Sequence, residues 1–282
     1  MNKVKLLFGV FLIFFMGLSF ASSVGARMIR EVTIGSLTDA PSLEIGDRFY
    51  MRYHGPEIVR LSGPWITRFW LWRTYDPPEE AVQRFGARGG RYIEIWYREE
   101  DFADRPQLRG TSERPWKGDH TREERAVEMV PSNPTEVFYD SDPHPEKTPI
   151  LRWVTMFRYP EGVSDEEGEK WFLEVHAKEA VKQPGLLKFV SYLAPSELKD
   201  GGMGVHIKFW DRVCEYWYKD LDAWRNAILD SPPEYTAPPW GGEYPFVIMY
   251  SNFIPYYHEI DLLNGTYQFD FDRPNVQYNT SP

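Results

Sequence analysis

His54 and His176 of this 282-residue chain each have a glutamate three residues on, Glu57 and Glu179, within matching apolar and aromatic stretches. A neutral imidazole can accept a proton near neutral pH, and a carboxylate one helical turn away can orient it or raise its pKa. Such a pair suits proton abstraction from an activated carbon or a phenol, followed by isomerisation, elimination or reaction with oxygen. Tyr50, Tyr53, His54, Glu57 and Leu61 fall at helical spacing along one stripe; Phe172, Val175, His176 and Glu179 repeat it. The stripe should face a sheet, which makes His54, Glu57, His176 and Glu179 the candidate catalytic residues and Tyr50, Tyr53 and Phe172 candidate pocket residues. The same pairs also suit a structural role, each closing a helix-to-sheet contact by hydrogen bonding. Two ligands at i, i+3 fall short of the three or four a metal needs, and only unknown tertiary contacts could add His120, His144, His206 or His258. No metal site is expected.

Rings are the other unusual resource: 11 Trp, 17 Tyr and 18 Phe. The run Trp65 to Trp72 reads as a strand, on which alternate side chains face opposite sides. Trp65, Phe69 and Leu71 share one face; Ile66, Trp70 and Trp72 share the other. One face should pack on helices, and the other, with Trp70 and Trp72, should line an interior suited to an apolar or aromatic ligand. His-Glu-x-x-His, P-loop, Gly-x-Gly-x-x-Gly and Gly-x-Ser-x-Gly patterns are absent, which disfavours zincin, nucleotide-binding and α/β-hydrolase chemistry.

The elements that position these residues come as a degenerate repeat. Tyr50 to Arg60 aligns with Phe172 to Lys182 at an offset of 122, and Ile95-Trp96-Tyr97-Arg98-Glu99 aligns with Tyr216-Trp217-Tyr218-Lys219-Asp220 at 121. Between them, Trp65-Ile66-Thr67-Arg68-Phe69 resembles Leu186-Leu187-Lys188-Phe189 if two residues are inserted. In the second half, Ile150 to Tyr159 reads as a strand. Ser164 with Glu167 forms a capping box opening a helix to about Gln183. Strands over Leu187 to Leu193 and Asp211 to Tyr218 follow, with a Gly201 to Gly204 turn between them. A helix from Asp220 to Leu229 and a strand from Tyr244 to Tyr250 complete the order β-α-β-β-α-β, the ferredoxin-like plan.

The first half repeats this with strands over Met28 to Ile34, Trp65 to Tyr75 and Tyr92 to Tyr97, and a helix within Ile45 to Leu61. Pro106 cuts its second helix short, and an extra helix, capped by Asp76 with Pro77 in its first turn, spans Glu79 to Phe85. The fold class expected is α+β: tandem ferredoxin-like halves, 27–147 and 148–260, closing one pseudo-dimeric α/β barrel. A polar excursion over 104–147, as linker or lid with a short strand from Thr135 to Tyr139, joins them, and 261–282 is a tail.

These residues carry a resemblance. Gly162 to Glu167, Trp171 through His176-Ala177, Pro184-Gly185-Leu186 and Trp217 to Ala223 resemble the EthD-like family of the dimeric α/β-barrel superfamily. The resemblance covers most of Ile150 to Tyr250 and, more weakly, Met28 to Asp104. His54-Gly55-Pro56 keeps the family's His-x-Pro; His176-Ala177-Lys178 has lost the Pro. The resemblance implies degradation of small organic compounds, in a superfamily that includes cofactor-free oxygenases, isomerases, dehydratases and haem enzymes. It does not fix the chemistry.

Residues 1–26 read as a signal peptide: Lys3 and Lys5, an apolar run from Leu6 to Phe20, then small residues ending at Ala26. The run is short for a membrane span, so a cleaved, periplasmic or secreted protein is expected. Acidic residues outnumber basic ones, 42 to 32, which argues against a nucleic-acid partner. Cys214 is the only cysteine, so no internal disulfide can form, and its strand setting suits a buried thiol. The function expected is an exported enzyme of oxidoreductase or lyase/isomerase type, acting on a small apolar or aromatic compound without a nucleotide cofactor. The alternatives are a non-catalytic binding or pathway-accessory protein, and a haem oxidoreductase with His176 or His206 as axial ligand. The chain is expected as a monomeric pseudo-dimer or a homodimer, with no other cofactor.

Overall fold

The computed structural model describes residues 27–36, 40–102, 126–145, 147–194, 210–256 and 260–263. The expected signal peptide, the Gly201 to Gly204 turn, His120, His206 and His258 lie outside them.

The first half runs β1 (Met28–Ser36), α1 (Leu43–Phe49), a π-helical turn (Tyr50–His54), α2 (Gly55–Ser62), β2 (Ile66–Arg73), α3 (Glu79–Phe85), β3 (Arg91–Arg98), α4 (Glu99–Phe102) and β4 (Ala126–Pro131). After β5 (Glu136–Asp140) come β6 (Leu151–Arg158), α5 (Asp165–Trp171), a π-turn (Phe172–His176), α6 (Ala177–Ala180), β7 (Lys188–Leu193), β8 (Arg212–Tyr218), α7 (Leu221–Arg225), a π-turn (Asn226–Asp230), β9 (Ile248–Pro255) and β10 (Ile260–Asp261). Side chains start the main helices. Ser42 Oγ accepts from the Ile45 N–H at 3.2 Å, Ser164 Oγ from that of Glu167 at 3.2 Å, and Asp220 Oδ1 from that of Ala223 at 2.9 Å.

Two five-stranded sheets result, ordered β10-β2-β3-β1-β4 and β5-β7-β8-β6-β9, with every strand pair antiparallel. Remove the outermost strand of each, β10 and β5, and both read second-third-first-fourth, the order of β-α-β-β-α-β. The fold is therefore α+β with tandem ferredoxin-like halves. Three apolar clusters give the layering. One joins α1, α2 and the outer face of the first sheet, through Phe49, Tyr50, Ile58, Phe69 and Ile95. A second does the same for the other half, through Trp153, Phe172, Phe189 and Trp224. The third lies between the sheets and draws on both, with Val32, Trp72 and Tyr92 facing Val154, Tyr192 and Val213. Helices are outside, sheets inside: the plan of a pseudo-dimeric α/β barrel.

The halves exchange their ends. β5 leaves the first half and pairs with β7; β10 leaves the second and pairs with β2. Leu262, just after β10, is buried in the first half's helix-to-sheet core, and its N–H donates to the Phe69 carbonyl at 2.8 Å. Phe85 of α3 reciprocates by packing on Trp153 and Trp224 of the second half. Arg212 fastens the crossing of β5: it donates to Glu136 on that strand and to Glu169 on α5, each at 2.5 Å.

Several sequence expectations shift. The 104–147 stretch is not only excursion, because it contains β4, the fourth strand of the first sheet, and β5. The helix Glu79–Phe85 starts at Pro78, not at a cap from Asp76. The last strand of the second half begins at Ile248 rather than Tyr244, because Phe246 has a left-handed backbone (φ 64°) that no strand accommodates. Ile66 packs outward with Phe69 and Leu71, since a register shift between Ile66 and Arg68 reverses the alternation there.

Candidate functional site

The two His-Glu pairs stand on the outer helices, one per half. Each histidine ends a π-helical turn, Tyr50–His54 or Phe172–His176, so the offset of 122 seen in sequence extends to an uncommon backbone feature. A π-turn holds an extra residue and moves the stripe out of phase. Tyr50 and Glu57 are buried as expected, but Tyr53 is 59% exposed and Leu61 is exposed too. His54 is partly exposed, stacked on Phe49 at 5.8 Å, with Nδ1 4.0 Å from Glu57 Oε2.

His176 is buried between the faces of Trp171 and Tyr235, at 5.0 and 5.5 Å, with Phe172 and Tyr244 beside it. Its Nδ1 has no hydrogen-bond partner among the described residues. Burial pushes the imidazole down to about 4, with the Glu179 charge opposing, so it is neutral at physiological pH. Glu179 gives both carboxylate oxygens to Thr236, accepting from its N–H at 2.9 Å and its hydroxyl at 2.6 Å. Among the described residues no group of His, Cys, Asp and Glu could hold a metal ion. His144 is exposed and lies 3.9 Å from Asp142.

Of the candidate pocket residues, Tyr50 and Phe172 belong to the two helix-to-sheet cores, while Trp70 and Trp72 face between the sheets. The structure does not bring those two tryptophans to either histidine. It brings them to a group of charges.

Arg30 on β1, Glu94 on β3, Arg152 on β6 and Glu215 on β8 meet in the inter-sheet layer, all buried. Arg30 joins the two carboxylates: Nη1 donates to Glu94 Oε1 and Nη2 to Glu215 Oε1, both at 2.8 Å. Tyr92 Oη donates to Glu94 Oε1 at 2.8 Å, Trp96 Nε1 to Glu94 Oε2 at 3.0 Å, and Trp217 Nε1 to Glu215 Oε2 at 3.3 Å. Each guanidinium also lies on a ring of the opposite sheet, Arg30 over Tyr192 at 4.2 Å and Arg152 over Trp72 at 4.8 Å.

Arg152 is placed like Arg30 and bonded unlike it. Its Nη1 is 3.9 Å from Glu94 and 3.8 Å from Glu215, beyond hydrogen-bond length, and its Nε and Nη2 are buried without a partner among the described residues. The two carboxylates also differ between the halves. Tyr92 contributes a hydroxyl to Glu94, but the residue 121 positions on is Val213, which has none to give Glu215. Glu94 therefore accepts three side-chain bonds and Glu215 two, so Glu215 Oε2, with only the long Trp217 bond, is the least engaged oxygen facing Arg152.

Burial alone would raise the Glu215 carboxyl, but Arg30, Arg152 and the Trp217 N–H hold it below the ordinary carboxylate range. The carboxylates in turn hold both arginines above their ordinary value against burial. Burial keeps the Tyr92 and Tyr192 phenols neutral. Around the four charges, Trp70, Trp96, Trp217 and Tyr256 are half-buried, so one layer of rings separates this group from solvent. Such a site can polarise an oxygen, accept a proton and stack a planar molecule.

Sequence reasoning passed over all four charged residues, although the repeat contained them. The offset that matches His54 to His176 also matches Arg30 to Arg152, and the one matching Trp96 to Trp217 matches Glu94 to Glu215. A charge recurring mid-strand in two apolar segments was the available signal.

No protein-family model matches the chain, and no curated protein matches it. Solved structures similar to it include one described as a "putative monooxygenase" from Fusobacterium nucleatum, at 10% identity and TM-score 0.35, covering 84% of this chain and 95% of that one. Another of the same description, from Lactobacillus acidophilus, has 12% identity, TM-score 0.31 and coverage of 81% and 93%. A third, described as a "putative chlorite dismutase", has 15% identity, TM-score 0.33 and coverage of 85% and 97%. None of these likenesses assigns chemistry to this chain.

Proposed function

We propose that this protein is an exported enzyme that binds a small planar organic molecule between its two sheets and removes a proton from it. The observation that carries the reading is Glu215 Oε2, a carboxylate oxygen 3.8 Å from Arg152, whose Nε and Nη2 have no partner among the described residues. The EthD-like resemblance of the second half supports small-molecule chemistry of oxidoreductase or lyase/isomerase type. In this reading Glu215 takes the proton from a weakly acidic C–H or O–H, and Arg152 steadies the negative charge left on the molecule. Trp70, Trp72 and Tyr256 supply ring faces to orient it. The geometry favours this site over the outer pairs, because Glu179 is held by Thr236 and His176 is enclosed by rings. Nothing in the step requires haem or a nucleotide.

The test is deuterium exchange into small carbon acids, acetophenone and phenylacetonitrile, incubated with the protein in D2O and followed by proton NMR. Catalysed exchange that is lost in E215Q and retained in H54A and H176A is the expected result. Exchange that survives E215Q and disappears in H54A would move the chemistry to the outer helix, and binding without exchange would make the protein a carrier.

A further inference from the structure

We infer that the molecule taken up between the sheets is uncharged and is selected through a carbonyl-type oxygen that accepts a hydrogen bond from Arg152; this rests on the inter-sheet layer being the binding site. Three features of the layer lead there. First, its charges already balance. Two guanidinium groups face two carboxylates, and the nearby phenols of Tyr92 and Tyr192 are kept neutral by burial. Three further cations lie over rings at the rim rather than among the four buried charges: Arg68 over Trp70 and Trp96, Arg88 over Tyr250 and Lys188 over Trp217. Glu128, on β4, accepts from the Trp210 N–H at 3.3 Å. An incoming carboxylate beside Arg152 would be a third negative charge against the two buried guanidinium groups, so it should enter that position only together with a proton.

Second, the unspent groups are donors. Among the described residues, Arg152, 6% exposed, keeps Nε and Nη2 unbonded, and the buried indole N–H of Trp72, on whose ring it lies, has no partner either. Buried N–H groups of this kind call for an acceptor, which an uncharged carbonyl oxygen supplies without disturbing the balance. Third, the guanidinium is flanked by flat surfaces, Trp72 at 4.8 Å, Tyr256 at 5.5 Å and Tyr92 at 5.7 Å. A ring or conjugated group attached to that oxygen can stack beside it. Arg30, with both terminal nitrogens engaged by carboxylates and only its Nε unpartnered among the described residues, offers less capacity. The substrate class is thus an aryl or conjugated ketone, aldehyde or quinone-like compound rather than an aromatic acid.

Isothermal titration of the full chain with acetophenone, benzoate and ethylbenzene tests this, using wild type, R152M, R152K and W72A, with each variant's melting temperature recorded. Wild type is expected to bind acetophenone about tenfold to a hundredfold tighter than ethylbenzene, the range that one hydrogen bond to a charged group supplies. R152M should bring acetophenone to the level of ethylbenzene and leave ethylbenzene unchanged; R152K, folded with its charge kept, should lose most of the preference. Benzoate should bind more weakly than acetophenone, and its heat, compared between buffers of different ionisation enthalpy, should report uptake of a proton. Benzoate binding tighter than acetophenone with no proton uptake overturns the inference. So does a preference for acetophenone that survives both Arg152 variants while W72A weakens all three probes, an outcome that leaves the binding site itself standing. If no probe binds, or W72A changes nothing, both the site and the inference fall.

Discussion

Arg30 and Arg152 occupy equivalent positions on β1 and β6, yet Arg30 makes two 2.8 Å bonds to Glu94 and Glu215 while Arg152 makes none to either. The repeat places the two arginines alike, and differences around them, Tyr92 against Val213 and Trp72 against Tyr192, accompany the unequal bonding. One arginine holds the charged layer together; the other is left with donors facing rings.

That division predicts unequal costs on removal. R30M leaves two buried carboxylates without their shared partner and should destabilise the fold by about 3–5 kcal/mol. R152M breaks no hydrogen bond but leaves the buried layer one cation short, so it should cost less than R30M and more than a surface charge, about 1–3 kcal/mol. Urea unfolding of the two variants measures the difference; equal losses would mean that the arginines are equivalent.

The pH dependence of stability should show two windows. His176 has its folded-state pKa lowered from 6.5 to about 4 by burial. The unfolded chain therefore binds a proton that the folded chain refuses, so stability falls as pH drops from about 6.5 to about 4, by about 3 kcal/mol, and is unaffected above. H176F should flatten that window. Glu215 acts lower: its depressed carboxyl stabilises the fold above the ordinary 4.5, and that contribution is lost as pH falls through its folded-state pKa. Denaturant titrations between pH 3 and 8, with and without H176F, separate the two; a slope unchanged in H176F would contradict the buried, neutral imidazole.

The exchange of chain ends should contribute to both halves. Leu262 is buried in the other half's core, so L262A should cost about 2–4 kcal/mol although it lies near the end of the described chain. Gly86 ends α3 in a left-handed conformation (φ 55°), and a Cβ there would run into the Met249 carbonyl of β9. G86A should therefore loosen the contact between α3 and the second half, seen as a lowered Tm. Unchanged melting in both variants would mean that the crossings are not part of the cooperative fold.

Much of this fold was legible in the residues, and the reasons are local. Ser164 and Asp220 sit where caps belong, the β-branched and aromatic runs 151–158 and 212–218 became strands, and the repeat foretold two halves with matching sheets. β4 was obscured because Ala126-Val127-Glu128-Met129-Val130 is short and follows a highly charged stretch. The π-turns were invisible because their residues have ordinary helical preferences, and they displaced Tyr53 and Leu61 from the stripe. Trp70 and Trp72 lie between the sheets, on the face that strand alternation sets apart from Phe69 and Leu71. The charges beside them were missed because buried arginines and glutamates look, in one dimension, like solvent-facing ones.

Cys214 should behave as an inert thiol. It is fully buried on β8, and burial pushes its pKa well above the ordinary thiol range. A colorimetric thiol reagent should label the native protein no faster than it unfolds and should react at once in urea; fast labelling of the native state would show that β8 is accessible.

The central claim, that small molecules bind between the sheets at Arg152, is tested most directly by a crystal structure of the protein grown with acetophenone. The expected result is the ketone oxygen within hydrogen-bond distance of Arg152 Nη2 and the ring beside Trp72. Ketone bound instead on the outer helices, at His54 or His176, with the inter-sheet layer unchanged, would contradict it.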